Sequence, residues 1–591
     1  MRRLDIPVLI VGGGCTGLSA SIFLHDLGVK SLLVERHAGT STLPKAHYLN
    51  QRTMEIFALH DVAGAVYAAS APRHNHGKIT WMTSLGGDGP FDRRTIAEID
   101  IMGGGGLREV YDAKGLTHPT HIPQLRLEPV LRAQAEARGA TLLFRHEFES
   151  VAQDPDEGGA GVRALVRDLE TGELIEVHAR YLLAADGGRS VGNALGIEMQ
   201  GMTGMADWMM AWFSADLSSY ITDDRAVMRM FVHPERPQVG RFAGALVTMG
   251  PDRWDGHSDE WAAFWMTPPD DTDQVDTGNA AEAIQDFFKI DAPIQIKHVS
   301  HWTLETVIAD RFAEGRVLLI GDAAHRQTPG AGLGLNSGIQ DAHCLASKLA
   351  LVLAGSGPEL LDSYESERRP VISRNVGWSL FAMSNMALPM LAMGISPVMP
   401  PEINQHEFAK LLDPGSEGVA RRARLDEVFR TQRIEYAAHD LELGFCYTSA
   451  AIVDDGTEPA RRDPMGAEYF PTTRPGSRLP HAWLDLDGVR RSTHELIPLG
   501  GFLLLTGPGG EPWCAAGPKA AAECGLVLSA VQVGDGGDVG DPEGHWRDLR
   551  EVDDDGVVLV RPDGHVAFRS LGQVEDPYGT LLAALRAITF R

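Results

Sequence analysis

The sequence predicts an α/β fold, and three short apolar stretches carry this prediction. Residues 8–11, 181–185 and 316–320 are each long enough for a buried strand, and each runs directly into a glycine-containing turn. Helical segments follow the first and the third stretch, at residues 18–27 and about 337–353. Strands that alternate with helices in this way are typical of a parallel sheet.

The turn after residues 8–11 has the spacing of a dinucleotide-binding site. Its first glycine allows a tight turn, its second lets a pyrophosphate approach the backbone, and its third lets the helix pack on the strand. The helix amides then face the phosphates, and an acid at the end of the next strand can bond a ribose. The residues that complete this pattern are Gly12, Gly14, Cys15, Thr16, Gly17 and Glu35.

Composition excludes several classes of protein. A chain of 591 residues predicts about two to four domains. A net charge of −27 excludes a nucleic-acid-binding surface, which needs a basic face. Five scattered cysteines without a CxxC pair predict a reduced, cytoplasmic protein. No metal site is predicted, because His74 and His76 lack a third ligand and are expected at the surface.

No stretch predicts a membrane anchor. The first apolar run is only a strand long, which excludes a signal peptide. Residues 378–397 are apolar and rich in Met, but Asn385, Pro389 and Gly394 interrupt them. This segment is therefore predicted to be a buried helix or a subunit contact.

The remaining chain predicts two further units. Residues 70–120 are rich in Gly, His and Asp and are predicted as loops with short strands. Alternating runs such as 228–232 and 244–249 predict a separate sheet, suited to a substrate lid. Apolar strands near 502–506 and 557–561, with helices between them, predict a small α/β domain at the C-terminal end.

Three separated motifs together resemble the single-component (class A) FAD-dependent aromatic hydroxylases, the family of phenol hydroxylase and para-hydroxybenzoate hydroxylase. They are the glycine turn with Glu35, the Asp186-Gly187 pair, and Gly321 to His325 followed by Pro329. Residues 44–56 look most like the 2,4-dichlorophenol 6-monooxygenase branch.

The resemblance implies a domain organisation. A Rossmann-like FAD-binding domain of the para-hydroxybenzoate hydroxylase type would comprise residues 1–200 and 305–460. Residues 201–304 would form the β-sheet substrate domain, and residues 465–591 a thioredoxin-like C-terminal domain. Trp513-Cys514 lacks a second cysteine two residues on, so a structural or dimer-contacting role is expected for that last domain.

The resemblance also implies where the cofactor would bind. Glu35 would hold the adenosine ribose, with Arg36 beside the adenine. Arg52 and Gln124 match positions that hold the ribityl and pyrophosphate region of FAD. The Asp186-Gly187 pair would serve FAD and, transiently, NADPH or NADH. Asp322 would bind the ribityl chain, Pro329 would lie near the isoalloxazine, and the flavin's pyrimidine edge would meet Gly332, Gly334, Leu335 and Asn336.

His47 is the candidate general base. Phenol hydroxylase carries an Asp at the corresponding position, and an imidazole with an ordinary pKa of about 6.5 can take a phenolic proton. The competing interpretation is that His47 only orders the flavin loop. A second departure is that the Asp186-Gly187 motif lacks its usual trailing Arg, which leaves the choice between NADPH and NADH open.

The resemblance implies hydroxylation of an aromatic small molecule through a flavin C4a-hydroperoxide, with O₂ and NAD(P)H consumed. The ring would be phenolic or hydroxypyridine-like, and the role either degradative or biosynthetic. Arg225, Arg229, Arg241 and Trp302 are candidates for the substrate pocket, and a homodimer is expected. Two alternatives stay open: a same-fold flavoprotein oxidase or epoxidase acting on a non-aromatic substrate, and a non-catalytic FAD-binding interaction module.

Overall fold

The computed structural model describes residues 2–153, 161–236, 243–267 and 275–591. Its first sheet has eight strands, and the parallel core order is Val317–Leu319, Leu174–Ala184, Arg2–Val11, Ser31–Glu35 and Thr141–Phe144. Ala313–Glu314, Val162–Asp168 and His146–Gln153 extend this core by antiparallel pairing. Three helices accompany it in the chain: Cys15–Asp26, Gln124–Ala137 and Leu333–Leu353.

This arrangement confirms the predicted α/β fold class. Each of the three apolar stretches is a strand or part of one, and their side chains form one core with the helices. The buried parts of the central strands, such as residues 8–11, are continuously apolar because helices or further strands cover both faces of a parallel sheet.

A second sheet has seven strands. In order they are Gln295–Thr303, Asp207–Ser214, Glu260–Thr267, Ala243–Gly250, Ala226–Val232, Lys78–Met82 and Thr95–Asp100. The helix Ala280–Phe288 packs on one face. The last two strands come from the region predicted as loops with short strands. Lys78–Met82 pairs in parallel with Ala226–Val232, about 150 residues away, and local sequence carries no signal of such pairing.

The C-terminal sheet has the order Leu528–Gln532, Phe502–Thr506, Val557–Val560 and Val566–Ser570. The first two strands are parallel and the others antiparallel. Helices Glu511–Glu523 and Pro577–Thr589 pack on its core. This is the arrangement expected of a thioredoxin-like domain, and all five cysteines are free thiols.

Helices connect the two sheet regions to the C-terminal domain. They are Asp362–Asn385, Ala387–Ala392, Pro401–Leu412, Ser416–Thr431, Arg433–Tyr436 and His439–Leu443. The predicted apolar segment 378–397 covers the end of the first of these helices and the whole of the second. Within the described residues, no helix combines the length and the apolar character needed to cross a membrane.

The C-terminal domain docks on the FAD-binding region through buried charges. Arg478 Nε donates to Glu55 at 3.0 Å, and Arg561 Nη1 donates to Glu367 at 2.7 Å. Burial alone would raise the carboxyl pKa values. At Glu55 the neighbouring Arg478, with His494 and Arg52, outweighs the effect of burial and holds the carboxyl pKa well below its usual range. We refer to the contacts of Glu55 and Glu367 with these arginines as the interdomain ion pairs.

Arg52 contacts this interface, and its predicted role at FAD stays a prediction. Its Nη1 pairs with Glu55, and its Nη2 donates to the Asp563 carbonyl at 2.8 Å. The side chain is fully buried there. The sequence placed Arg52 near the start of a helix, as observed in Gln51–Leu59, but only the docked C-terminal domain shows where its guanidinium points.

Candidate active site

The glycine turn leaves bare backbone at the start of a helix. Helix Cys15–Asp26 follows Gly14 with no side-chain cap. Gly12 has φ 111°, and a Cβ there would lie 2.2 Å from the Ala185 carbonyl oxygen. A Cβ on Gly17 would lie 2.0 Å from the Gly12 carbonyl oxygen. Only glycine fits these two positions, and an uncapped helix N-terminus beside them can bind an anion.

Glu35 ends the second strand beside this turn. Its carboxylate accepts hydrogen bonds from Gly13 N at 2.7 Å and from His37 N at 2.8 Å. Arg36 is exposed next to it. His37 Nδ1 also lies 2.6 Å from the Glu35 carboxylate. A carboxylate offers about four acceptor positions, so these three contacts leave capacity for a ribose hydroxyl.

A second uncapped helix N-terminus lies at Leu333–Leu353. The preceding loop turns sharply, with φ 57° at Ala331 and 62° at Gly332, and no side chain caps the helix. A Cβ on Gly332 would lie 2.6 Å from Tyr48 Cδ1, so the loop touches the segment that follows His47. Asn336 fastens this contact, because its Nδ2 donates to the Tyr48 carbonyl and its Oδ1 accepts from Asn50 N.

Polar groups without partners lie near these two helix ends. Thr16 packs on Gly321, since a Cβ on that glycine would lie 2.7 Å from Thr16 Oγ1. The neighbouring Asp322 is exposed, and its carboxylate has no bonding partner in the part of the chain that the structure describes. The Gln327 amide and the Thr328 hydroxyl are buried and equally unpartnered. These last two residues precede Pro329 and were missed by sequence reasoning, because nothing in their spacing distinguishes them.

This set fits FAD. Two positive helix ends match an anionic pyrophosphate and the electron-accepting edge of the ring. A free carboxylate matches ribityl hydroxyls, and an unpartnered amide and hydroxyl are the groups that a bound ligand would satisfy. The two glycine contacts provide the flat backbone surface that such a ligand needs.

The Asp186 carboxylate stabilises the loop that follows it. Its carboxylate accepts from Gly188 N, from Ser190 N and Oγ, and from Val191 N, at 2.7–3.1 Å. The strand that ends there places Ala185 against Gly12. Gly187 has φ 72°. The motif therefore lies beside the glycine turn, while its acid is engaged within the loop.

Gln124 begins a helix whose side chains reach the glycine turn. Its Nε2 donates to Glu128 at 2.6 Å. Glu128 also accepts from Ser41 N at 2.5 Å and faces Cys15 Sγ at 3.7 Å. Burial raises the pKa of the Cys15 thiol well above its usual range, so it stays protonated. Glu128 was not anticipated, although its position four residues after Gln124 places both on one helix face.

His47 lies next to a second histidine. Its Nδ1 is 3.1 Å from His121 Nδ1, and the two rings stack at a centroid distance of 5.3 Å. Desolvation lowers the pKa of His47 to about 4, so the imidazole is neutral at pH 7 and can accept a proton. His76 lies behind His121 at 5.3 Å between ring centroids. It is buried, which corrects the prediction that it is a surface residue.

The seven-stranded sheet carries an apolar wall next to the cluster that contains Tyr48. Met210, Val247, Met249 and Ala262 form a buried cluster with Met228 and Phe264 packed against it. The last two also pack in the cluster that contains Tyr48. The wall therefore connects through Tyr48 to the segment of His47, and it suits an apolar ring.

The predicted substrate residues lie away from this wall or have other partners. Arg225 is exposed and its Nε donates to Asp223 at 3.0 Å. Arg229 is buried and donates to the carbonyls of Ala226 and Asp223. Trp302 lies on the edge strand, partly exposed, with Trp208 at 6.4 Å and Phe264 of the wall at 6.3 Å between ring centroids, so it does reach the wall. Arg241 is outside the described residues.

Comparison with known proteins decides the family. The family described as "FAD binding domain" matches residues 5–379, more than half of the chain. This chain belongs to the FAD-dependent aromatic hydroxylases. The family described as "Aromatic-ring hydroxylase, C-terminal" matches residues 472–589, which contain the thioredoxin-like sheet.

Individual relatives of this hydroxylase cover its whole length. It is 33% identical to a 2,4-dichlorophenol 6-monooxygenase of Delftia acidovorans, over 99% of this chain and 98% of the relative. The flavin-dependent monooxygenase PieE, solved with FAD and substrate, is 37% identical with a TM-score of 0.90, covering 100% and 99% of the two chains. Aklavinone-11 hydroxylase with FAD and aklavinone is 29% identical with a TM-score of 0.78, covering 99% of both. The hydroxylase is thus an FAD-dependent monooxygenase.

Proposed function

We propose that this hydroxylase transfers one oxygen atom of O₂ to an aromatic ring that carries an ionisable hydroxyl group, with NADPH or NADH as reductant. The observation that carries this proposal is the placement of His47. A neutral imidazole lies on the segment that touches Gly332, near an apolar wall that suits a ring. FAD, when bound, supplies the reduction chemistry and the activation of O₂.

His47 would hold the ring hydroxyl and take its proton. Loss of that proton raises the electron density at the ortho and para carbons, where oxygen transfer takes place. His121 can accept a hydrogen bond from His47 Nδ1, which would orient the other ring nitrogen towards the substrate. The Met-rich wall would exclude water from the reacting ring.

The substrate class follows from the site and from the relatives. The names of the relatives include a dichlorophenol monooxygenase and an aklavinone hydroxylase, so the family accommodates rings of different size. We propose a phenolic or hydroxypyridine-like ring for this chain. Methionines fill much of the wall, and their flexible side chains adapt to different ring shapes.

The His47→Gln variant tests whether His47 is the base. NADPH oxidation by the variant and by the wild type is measured with and without an aromatic substrate. With a panel of phenols and hydroxypyridines, the wild type should produce a product one oxygen atom heavier. The variant should bind FAD normally and lose about 10²- to 10⁴-fold in turnover, the typical contribution of a general base. Substitution of the exposed His74 by Gln is the matched control. Equal turnover in both variants would contradict the role as a base and favour the alternative that His47 only orders the flavin loop.

The homodimer stays a prediction, and one surface supports it. Phe381, Leu388 and Leu391 are exposed on helices Asp362–Asn385 and Ala387–Ala392, within the segment predicted as a buried helix or a subunit contact. Light scattering after size exclusion would measure the mass. A monomer at micromolar concentration would contradict the prediction.

A further inference from the structure

Two buried carboxylates near the flavin site have no cation beside them. Glu435 and Glu442, which we call the carboxylate pair, belong to the short helices Arg433–Tyr436 and His439–Leu443. They are 9% and 3% exposed. Within the residues that the structure describes, neither forms an ion pair with Lys or Arg. Sequence reasoning gave this segment no role.

The carboxylate pair accepts hydrogen bonds from both segments that are in contact at Gly332, the segment after His47 and the loop before helix Leu333–Leu353. Glu442 accepts from Tyr48 Oη at 2.7 Å and from Gln51 N at 3.2 Å. Glu435 accepts from Ala331 N at 2.9 Å. One carboxylate therefore holds the segment that follows His47, and the other holds the loop before the uncapped helix.

The surroundings of the pair are neutral. Glu442 faces two tyrosines, Tyr48 and Tyr111, whose pKa values are raised well above the usual range by burial and by this carboxylate. The adjacent His439 is neutral, because burial lowers its pKa to about 3. Glu435 faces Tyr436, which is also un-ionised.

Nearby arginines are engaged elsewhere. Arg374 and Arg462 bind Asp440, at 2.8 and 2.9 Å, and Arg433 is exposed and donates to the Arg430 carbonyl. Since no cation offsets burial, the pKa values of Glu435 and Glu442 are raised to about 7. Both protonation states are therefore accessible at neutral pH.

We propose that Glu435 and Glu442 are positioning residues that bind a proton when the FAD bound beside them is reduced. This inference rests on the proposed function in one respect, the location of the flavin ring at Gly332. Reduction adds negative charge to the ring, and an ionised carboxylate bonded to Ala331 would repel that charge in a poorly screened site. Protonation removes the repulsion while the carbonyl oxygen keeps its amide bond.

The linked reaction balances without a further reactant. Two electrons and one proton go to the cofactor, and one more proton passes from solvent to a carboxylate of the pair. No covalent bond within the protein breaks. Glu435 keeps its bond from Ala331 N in both redox states, because that bond uses one carboxyl oxygen and the proton can occupy the other.

The pH dependence of the reduction potential of bound FAD tests this inference without any substrate. The potential is measured from pH 5.5 to 8.5 by equilibrium titration with a chemical reductant and an indicator dye. Below about pH 7 the pair is already protonated, so only the flavin's own proton contributes. Above about pH 7, each linked proton changes the equilibrium constant for FAD reduction tenfold per pH unit, which is about 30 mV for a two-electron couple. The slope of the reduction potential against pH should therefore steepen by about 30 mV per pH unit.

Glutamine variants test whether the carboxylate pair causes the steeper slope of the reduction potential above pH 7. Glu435→Gln should remove the steepening above pH 7 while FAD stays bound, and Glu442→Gln should do so in part. Glu427→Gln is the control, an exposed carboxylate of the preceding helix Ser416–Thr431 that pairs with Arg430, and it should leave the steepening in place.

Three results would overturn the inference. They are a constant slope in the wild type, steepening that survives in both Gln variants, and loss of the steepening in the control. The wild-type measurement decides even if a variant does not fold. A protein whose potential behaves as expected but which oxidises no ring would leave this inference standing and contradict the proposed substrate class.

Discussion

The interdomain ion pairs and the carboxylate pair bury acidic side chains to a similar degree, yet their pKa values move in opposite directions. At the domain interface, burial of Glu367 is outweighed by Arg561 and Lys348, and its pKa falls to about 2. In the carboxylate pair, burial of Glu442 is opposed only by hydrogen bonds from Tyr48 and Gln51, and its pKa rises to about 7.

The opposite pKa shifts indicate different roles for the interdomain ion pairs and the carboxylate pair. Glu55 and Glu367 have lowered pKa values and stay ionised throughout the physiological range, so they can only hold two domains together. A carboxylate held by neutral donors is poised between two states, so it can respond to a change of charge nearby. Burial alone distinguishes neither role, because the partners decide the sign of the pKa shift.

The largest expected effect comes from breaking an interdomain ion pair. Glu55→Ala leaves Arg52 and Arg478 buried without their acid, and we expect a loss of about 3–5 kcal/mol in the free energy of unfolding. Urea unfolding followed by tryptophan fluorescence measures it. A loss below about 1 kcal/mol would show that water or another acid compensates the two arginines.

An intermediate effect should follow neutralisation of the carboxylate pair. The folded pKa of Glu442 lies above its unfolded value, so the folded wild type binds the extra proton between about pH 4.5 and 7. Across that window its stability should fall by about 1.4 kcal/mol per pH unit relative to Glu442→Gln, and the difference should level off above pH 7. Parallel stability curves for the two proteins would contradict the raised pKa.

The smallest effect should come from an exposed ion pair. Arg132 and Glu136 lie one turn apart on helix Gln124–Ala137 at 2.7 Å, with both side chains well exposed. Glu136→Ala should cost no more than about 0.5 kcal/mol, because solvent screens the pair. It is the matched control for Glu55→Ala, and a large loss there would mean that the unfolding assay responds to charge removal in general.

Much of the cofactor site could be predicted from spacing. The glycines at 12 and 17 are required by backbone contacts within a few residues or with the adjacent strand, and Glu35 follows at the end of the next strand. Such features depend on local geometry, which the order of residues encodes. The contacts of long side chains are harder to predict: nothing in the sequence indicated that Arg52, expected at FAD, donates to the C-terminal domain.

The sequence by itself determined the fold class, the family and the position of the glycine turn, because strand length, helix period and turn chemistry are local properties. Tertiary structure alone decided which strands complete the second sheet, that His121 and His76 lie behind His47, and that Glu435 bonds Ala331 while Glu442 bonds Tyr48 and Gln51. Those contacts join residues from tens to nearly four hundred positions apart in the chain. Their partners set burial and pKa, and no local pattern encodes them.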